Sequence, residues 1–318
     1  MIHFSQARVY SIPMRTRFRG ITVREGVLVE GPLGWGEFCP FPEYDDAEAA
    51  SWLATAVEQC TVGWPEPVRD RIAVNCTVPA VDPVKAHAVV AGSGCRTAKI
   101  KVADHPGSLA GDVARVEAVR DALGPAGKIR VDANAGWDVD TAVTHIRALD
   151  KAAGGLEYVE QPCPGIEELA SVRRRVNVPI AADESIRRAE DPLAVAVAGA
   201  ADIAVIKCTP LGGVRRALRV AEAAGLPCVV SSALETSVGL AAQVALAAAL
   251  PSLDHACGLG TLSLLTGDVV DDSLVPVDGF IDVRAPGPPV TGRFDETDPE
   301  RVAWWLARLD RVARFMIA

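Results

Sequence analysis

With 318 residues, the chain exceeds one minimal domain and suits a barrel of roughly 250 residues plus a small extra unit. Hydrophobic residues make up 49% and aromatic ones only 5%, which excludes a disordered chain and calls for a core of Ala, Val, Leu and Ile, as in buried parallel strands under Ala-rich helices. The net charge of −9 comes with no Lys/Arg run able to follow a phosphate backbone, so nucleic acid is excluded as an expected partner.

The N-terminus, MIHFSQARVYSIPM, lacks the basic start, apolar stretch and small-residue cleavage site of a signal peptide. The segments ARVYSIP and TVREGVLVEGPLGWGEF alternate like strands, with turns at Gly31-Pro32 and Gly34. A helix opens near Asp45-Asp46 and runs through AEAASWLATAVEQC. Residues 1–70 therefore read as a small α+β unit.

From about residue 71, short β-rich runs alternate with helical stretches. The strand candidates are 72–78, 97–102, 128–134, 156–162, 178–185, 201–210, 227–233 and 255–261. Amphipathic segments such as GDVARVEAVRDALG and GGVRRALRVAEAAG lie between them, and Gly124, Gly154 and Gly225 close helices as C-caps. Eight such units predict an α/β chain closed into a (β/α)₈ TIM-like barrel over residues 71–283, in preference to an open doubly wound sheet. No GxGxxG follows a strand and no P-loop pattern occurs, which removes the usual nucleotide-binding readings.

The most apolar stretch, residues 238–250, is too short and Ala-rich to span a membrane. The expectation is a soluble, cytoplasmic protein with no membrane partner. After residue 262 the pattern weakens. A Pro/Gly-rich stretch (284–295) precedes a final helix, PERVAWWLARLDRVARFM, in a tail (284–318) that could pack back on the N-terminal unit. The eight cysteines show no CxxC pair, and Cys76, Cys208 and Cys228 sit in apolar runs, so buried free thiols are expected.

Catalytic groups of a barrel sit at the C-terminal ends of its strands. Here five successive candidate strands end in charge: Lys99-Ile100-Lys101, Asp132-Ala133-Asn134, Glu160-Gln161-Pro162, Asp183-Glu184-Ser185, and Lys207. Alternation of side chains puts Lys99 and Lys101 on one face. Asp132, Glu160 and Asp183 come from three neighbouring strands at equivalent depth, so their carboxylates can converge. Three like charges in a low-dielectric mouth repel unless a cation neutralises them. Oxygen donors with room left for water or substrate suit Mg²⁺ or Mn²⁺ better than zinc. Lysines flank the acids on both sides. A lysine beside a divalent cation and a second ammonium has a lowered pKa, as a base working near neutral pH needs. The cation would also stabilise the enediolate left when a carboxylate loses its α-proton.

Each residue alone has an ordinary reading. A strand-end Asp or the Asp183-Glu184-Ser185 run can cap the next helix, and a lysine can be solvated or ion-paired. Capping does not require the order Lys, acid, acid, acid, Lys on successive strands, and that joint order points to metal-assisted proton abstraction. Ser231-Ser232 ends the seventh candidate strand and could bind a substrate carboxylate or serve a loop. Gly258 and Gly260 allow close approach to a ligand, or a turn. Arg15, Arg17 and Arg19 lie in an early loop that could reach over the mouth or stay solvated. The five histidines have no ligand spacing, and no Ser/His/Asp arrangement stands out.

The KxK pair, the three acids and the later lysine resemble the enolase superfamily, and within it the muconate-lactonizing-enzyme subgroup. The resemblance covers nearly the whole chain. It implies an α+β capping domain (1–70), the barrel (71–283) and a tail (284–318) returning to the cap. The short chain, the phrases TAKIKV, RVDANAGW, EQPC, ADES and SSALETSVGL, and the double serine are similar to the o-succinylbenzoate synthases of menaquinone biosynthesis.

That resemblance implies a lyase that dehydrates 2-succinyl-6-hydroxy-2,4-cyclohexadiene-1-carboxylate to o-succinylbenzoate. Lys101 would abstract the α-proton and return it to the departing hydroxyl in a syn elimination. Asp132, Glu160 and Asp183 would hold Mg²⁺, or Mn²⁺. Lys207 would stay charged and stabilise the intermediate from the other face, in part by a cation–π contact. Lys99 would set the electrostatics, and Asn134, Ser231, Ser232 and Gly258 would hold the succinyl tail. The early loop, MRTRFRGIT, is short for a family in which this region closes over the substrate. N-succinylamino-acid racemases, dipeptide epimerases and cycloisomerases share the machinery. The DxD that dipeptide epimerases commonly carry after strand eight is missing from HACGLGT. A barrel that only binds a ligand would have lost an acid or a lysine, and none is lost. The expected partner is a small carboxylate substrate; monomer and homo-oligomer both stay open.

Overall fold

The computed structural model describes residues 4–187, 193–290 and 297–316. It begins with an antiparallel sheet of β1 (Arg8–Phe18), β2 (Ile21–Gly31) and β3 (Gly34–Phe38), in that order, with α1 (Asp46–Thr61) laid across it. Asp45 starts α1 by accepting the Glu48 amide at 2.8 Å. Gly36 lets the helix lie close, since a Cβ there would come within 2.1 Å of the Ala56 carbonyl oxygen.

The segment MRTRFRGIT is not a loop. Met14–Phe18 continue β1 and Ile21 opens β2, with only Arg19 and Gly20 between them. Both turn residues have positive φ (49° and 80°), as a two-residue hairpin turn of the right twist needs.

The remaining elements are β4 (Arg71–Ala73), β5 (Cys76–Val78), α2 (Pro83–Ala91), β6 (Thr97–Lys101), α3 (Leu109–Leu123), β7 (Lys128–Asp132), α4 (Val139–Ala153), β8 (Tyr158–Glu160), α5 (Ile166–Arg173) and β9 (Ile180–Ala182). After them come α6 (Glu184–Arg187), α7 (Leu193–Val197), β10 (Ile203–Ile206), α8 (Cys208–Leu211), α9 (Val214–Ala224), β11 (Cys228–Val230), α10 (Ser237–Ala249), β12 (Phe280–Asp282) and α11 (Pro299–Phe315). Strands β5 to β11 form one parallel sheet in sequence order. Its two edges meet at residues 257–258. Cys257 bridges to Val74, and Gly258 bridges to Ser231. The amides of Asn75 and Ser232 donate to Cys257 and Gly258 carbonyls, both at 2.9 Å, so the sheet closes into a TIM-like barrel.

Two of the eight expected strands differ most from the sequence reading, and two more, 178–185 and 201–210, end early where α6 and α8 begin. The run 72–78 splits, because β4 turns away to pair with β12 while β5 stays in the barrel. The run 255–261 contributes only the two bridging residues and then winds into a 3-10 turn over Gly260–Leu264. Residues 188–192, inside the stretch expected to hold one helix, and residues 291–296 of the Pro/Gly-rich stretch lie outside the described residues.

The last helix, α11, rests on the N-terminal unit. Trp305 meets Phe38 edge-on at 6.2 Å, and buried Arg308 donates to the Tyr44 carbonyl at 2.6 Å. All eight cysteines are free and buried. Among the described residues no helix is long and apolar enough to cross a membrane.

Candidate active site

Along a strand every second side chain faces the barrel interior, so residues two apart stack in layers. Tyr158, Ala181, Ile203, Val205 and Val229 form a small apolar cluster of their own, apart from the main core between strands and helices. Two positions on from Tyr158, Ala181, Val205 and Val229, the same face carries Glu160, Asp183, Lys207 and Ser231. On β6 and β7 that face carries Lys99 with Lys101, and Arg130 with Asp132; Lys101 is in register with Asp132, and Asp132 with Glu160. Apolar runs end in charge because each strand passes from the filled interior to the open mouth.

At the mouth the lysines and acids pair. Lys99 Nζ donates to both Glu160 oxygens, at 2.8 and 2.9 Å, and lies 3.1 Å from Asp132 Oδ2. Lys101 Nζ donates to Asp132 Oδ2 at 2.5 Å and to Asn134 Oδ1 at 2.6 Å. Lys207 donates to Asp183. Lys101 and Lys207 stand four positions apart in a ring of eight, so they approach the mouth from opposite sides.

The electrostatics are uneven. Burial, then the neighbouring Asp132 charge and to a smaller degree Asp183, push the Glu160 carboxyl up to about 7 against the pull of Lys99. Burial alone would raise Asp132 as well, but Lys101 and Lys99 hold it well below the usual carboxylate range. Lys99 is fully desolvated, yet Glu160 and Asp132 raise its pKa well above the ordinary lysine value.

Among the described residues no three His, Cys, Asp or Glu side chains stand arranged as a ready metal cage. Each of the three acids is met by an ammonium instead. The donor set still fits a hard divalent cation: three carboxylates on adjacent strands, nothing but oxygen, and one acid raised by burial and by the charges of the other two.

Above the lysines and acids lies a cleft between the barrel mouth and the N-terminal unit. The barrel side presents Thr77, Lys99, Lys101, Asp132, Asn134, Asp183, Lys207, Ser231, Ser232 and Gly258 among others. The roof is Phe18, Arg19, Phe41, Tyr44 and Trp52. Sequence reasoning missed this aromatic roof. Its members are scattered over the first 52 residues and only the hairpin and α1 bring them together. Arg19 stacks 3.7 Å over Phe41, donates to the Tyr44 hydroxyl at 2.7 Å and pairs with Glu43 at 3.0 Å. Arg17 lines an adjoining recess of about 240 Å³, while Arg15 lines neither space.

Other expected contacts are redirected. The Ser232 hydroxyl donates to Glu235 at 2.7 Å and accepts from Thr261 Oγ1 at 2.7 Å and the Leu234 amide at 2.9 Å. One donor and two acceptor sites are thereby used, which leaves nothing for a substrate. Ser231 is different: among the described residues its hydroxyl makes no hydrogen bond, and it lies at the cleft wall. Gly258 is required there, since a Cβ would sit 2.6 Å from Ser231 Oγ. Gly260 faces the Asn75 carbonyl instead of the cleft, with a Cβ contact of 2.8 Å. Asn134, in a left-handed conformation (φ 44°), holds Lys101. Gln161 was not anticipated. Its buried amide accepts from the Asp183 and Ser185 backbones at 3.0 and 3.2 Å and donates to Ser185 Oγ at 2.7 Å, which orients the Asp183 turn.

This constellation has close relatives. Residues 9–60 match the model described as enolase N-terminal domain-like, and residues 83–292 match the one described as enolase C-terminal domain-like. An o-succinylbenzoate synthase of Thermobifida fusca is 66% identical over 277 residues, covering 87% of each chain. The chain belongs to the o-succinylbenzoate synthase family of the enolase superfamily. A Mycobacterium tuberculosis synthase of this family is 54% identical over 95% of this chain and 91% of its own. Among solved structures, muconate lactonizing enzyme from Pseudomonas fluorescens, complexed with muconolactone, superposes with a TM-score of 0.77. It is 24% identical and covers 96% of this chain and 98% of its own, a likeness of fold.

Proposed function

We propose that the chain is a divalent-metal-dependent hydro-lyase that converts 2-succinyl-6-hydroxy-2,4-cyclohexadiene-1-carboxylate to o-succinylbenzoate in menaquinone biosynthesis. The observation that carries the mechanism is the opposition of Lys101 and Lys207 across a cleft lined by Asp132 and Asp183, with Glu160 buried in register beside Asp132. Asp132, Glu160 and Asp183 would hold the cation, Mg²⁺ in this reading. Bound there, it supplies positive charge that makes the proton next to the substrate carboxylate acidic.

Lys101 takes that proton as its free amine. The C–H electrons pass into the ring, the C–O bond to the ring hydroxyl breaks, and Lys101 hands its proton to the leaving oxygen, so that water departs. Lys207, across the mouth, stays cationic and balances the charge that develops. Lys99, bonded to both Glu160 oxygens, sets the charge beside Lys101 and the carboxylates. Asn134 holds the Lys101 ammonium. Ser231, with Gly258 behind it, is the hydroxyl available to the succinyl group, and the aromatic roof excludes water from the ring.

The reading carries with it a cytoplasmic enzyme with a small-molecule substrate. It divides the chain into a cap at 1–70, a barrel at 71–283 and a tail at 284–318. The contact of α11 with α1 and β3 supports that division. The test is the ultraviolet rate of cyclohexadiene loss with purified protein, with Mg²⁺ and then with chelator. Conversion that stops with chelator is expected; no conversion by folded, metal-loaded protein overturns the reading. The same opposition of lysines supports N-succinylamino-acid racemisation as a second activity, read by loss of optical rotation from a single enantiomer.

A further inference from the structure

The N-terminal unit also reaches into the barrel wall away from the cleft roof. Glu37, on β3, is 2% exposed. Its carboxylate accepts the Tyr10 hydroxyl at 2.5 Å, the Thr236 amide at 3.1 Å, the Gly239 amide at 2.8 Å and the Thr236 hydroxyl. Thr236 is the N-cap of α10 and Gly239 its third residue. Amides at a helix start have no partner inside the helix, and the Thr236 side chain does not serve them. A carboxylate from the other unit does so, at the end of the helix where negative charge is favoured. Gly239 admits it: a Cβ there would lie 2.9 Å from Glu37 Oε2 and from Glu235 Cβ.

Arg24, on the neighbouring strand β2, is 1% exposed. It donates to the carbonyls of Leu234 at 2.8 Å, Cys39 at 2.5 Å and Ala233 at 3.3 Å. Leu234 has φ 68°, a conformation that a branched residue holds only with outside support. Ser231 to Leu234, held in this way, are one wall of the cleft. Glu235 extends the hold. It accepts from Ser232 Oγ, the Ala233 amide, Thr209 Oγ1 and Gln243 Nε2, at 2.6–2.8 Å. Gln243 in turn accepts the Cys208 amide at 2.9 Å, next to Lys207.

We propose that Glu37, together with Arg24, is a positioning residue: it caps a barrel helix from the other unit and thereby sets the Ser231–Leu234 wall against the substrate. It touches none of the lysines or acids of the mouth. The proposal deepens the dehydration reading and rests on it.

The test compares Glu37→Gln with Glu157→Gln in the Mg²⁺-loaded full chain. Glu157 is a second, partly buried carboxylate, paired with Arg130 at the far end of the barrel. In Glu37→Gln one accepting oxygen becomes an amide nitrogen, so the Thr236 or the Gly239 amide loses its partner. KM is expected to rise about tenfold with a smaller change in kcat, because wall contacts act mainly on binding. Amide hydrogen exchange over residues 231–240 is expected to quicken. Glu157→Gln is expected to lower Tm with KM within twofold of the wild type. Thr236→Val, which removes one donor only, serves if Glu37→Gln does not fold, and should move KM in the same direction.

KM within twofold of the wild type in folded Glu37→Gln or Thr236→Val, with only Tm reduced, overturns the proposal. If the wild type itself does not turn over, the dehydration reading has failed, and exchange alone decides. Unchanged exchange over 231–240 in Glu37→Gln then overturns the hold, and faster exchange supports it.

Discussion

At the lower end of the barrel, Arg130 meets Glu157 at 2.5 Å, and Lys128 and His255 share the same carboxylate at 3.0 and 3.1 Å. Two residues further along β7, at the mouth, Asp132 meets Lys101 and Lys99. Both clusters pair acid with base, and Asp132, like Glu157, is held low, but one acid of the upper cluster departs from that pattern. Below, several donors serve one acid. Burial pushes Glu157 up, but the His255 hydrogen bond and the Arg130 charge outweigh it and hold the carboxyl well below its usual range. Above, burial and then the neighbouring Asp132 and Asp183 charges push Glu160 up to about 7. The lower cluster is relaxed and belongs to stability. The upper one keeps one acid raised beside others that are paired, and perturbed groups in a cleft at the mouth of a barrel are the mark of a site built for something other than stability.

That contrast can be broken by experiment, and the largest effect is expected at Lys101. Lys101→Ala should cut kcat by 10²–10⁴, the range for loss of a proton-transfer group, while Tm and the Mg²⁺ response stay near wild type. More than a tenth of the wild-type rate would sink its assignment as base. Next comes the metal. At about 100 times its Kd, Mg²⁺ should stabilise the wild type by about 2.7 kcal/mol, and Asp183→Asn should lose most of that gain in a thermal melt. An equal Tm rise in both proteins would remove Asp183 from the ligand set.

The lower cluster should respond in the other currency. Glu157→Gln leaves buried Arg130 without its counter-charge and should cost about 2 kcal/mol in denaturant unfolding, with kcat of the metal-loaded enzyme unchanged. A fall in kcat would erase the distinction between the two ends. The smallest effect concerns pH. Because the folded pKa of Glu157 is depressed, its contribution is present above the ordinary carboxylate value of about 4.3 and fades as pH falls below it. The Tm gap between wild type and Glu157→Gln should therefore narrow as pH drops from about 5 to about 3, and a constant gap would show that Glu157 does not act through its charge.

Much of this was legible before the structure. Periodicity alone marks alternating strands and helices, since a strand that is apolar to its last residues and then charged can only run from a packed interior to an open mouth. The spacing of Lys99, Lys101, Asp132, Glu160, Asp183 and Lys207 follows from that repeat. Each lies at a strand end, and strand order in a barrel follows chain order. Local pattern also marks where α1 begins, at Asp45, and where α4 and α9 stop, at Gly154 and Gly225.

Tertiary structure alone decided the rest, because it depends on residues far apart in the chain. The Arg19-Gly20 segment reads as a loop until its flanks pair across two residues. Strand eight shrinks to Cys257 and Gly258 because its neighbours on both sides need only two bridging residues to close the ring. Ser231 and Ser232 are chemically identical and adjacent, yet Glu235 and Thr261 take up one hydroxyl and leave the other facing the cleft. Glu37 caps a helix some 200 positions away. No local propensity encodes that, because a carboxylate caps whichever helix end the fold brings within reach.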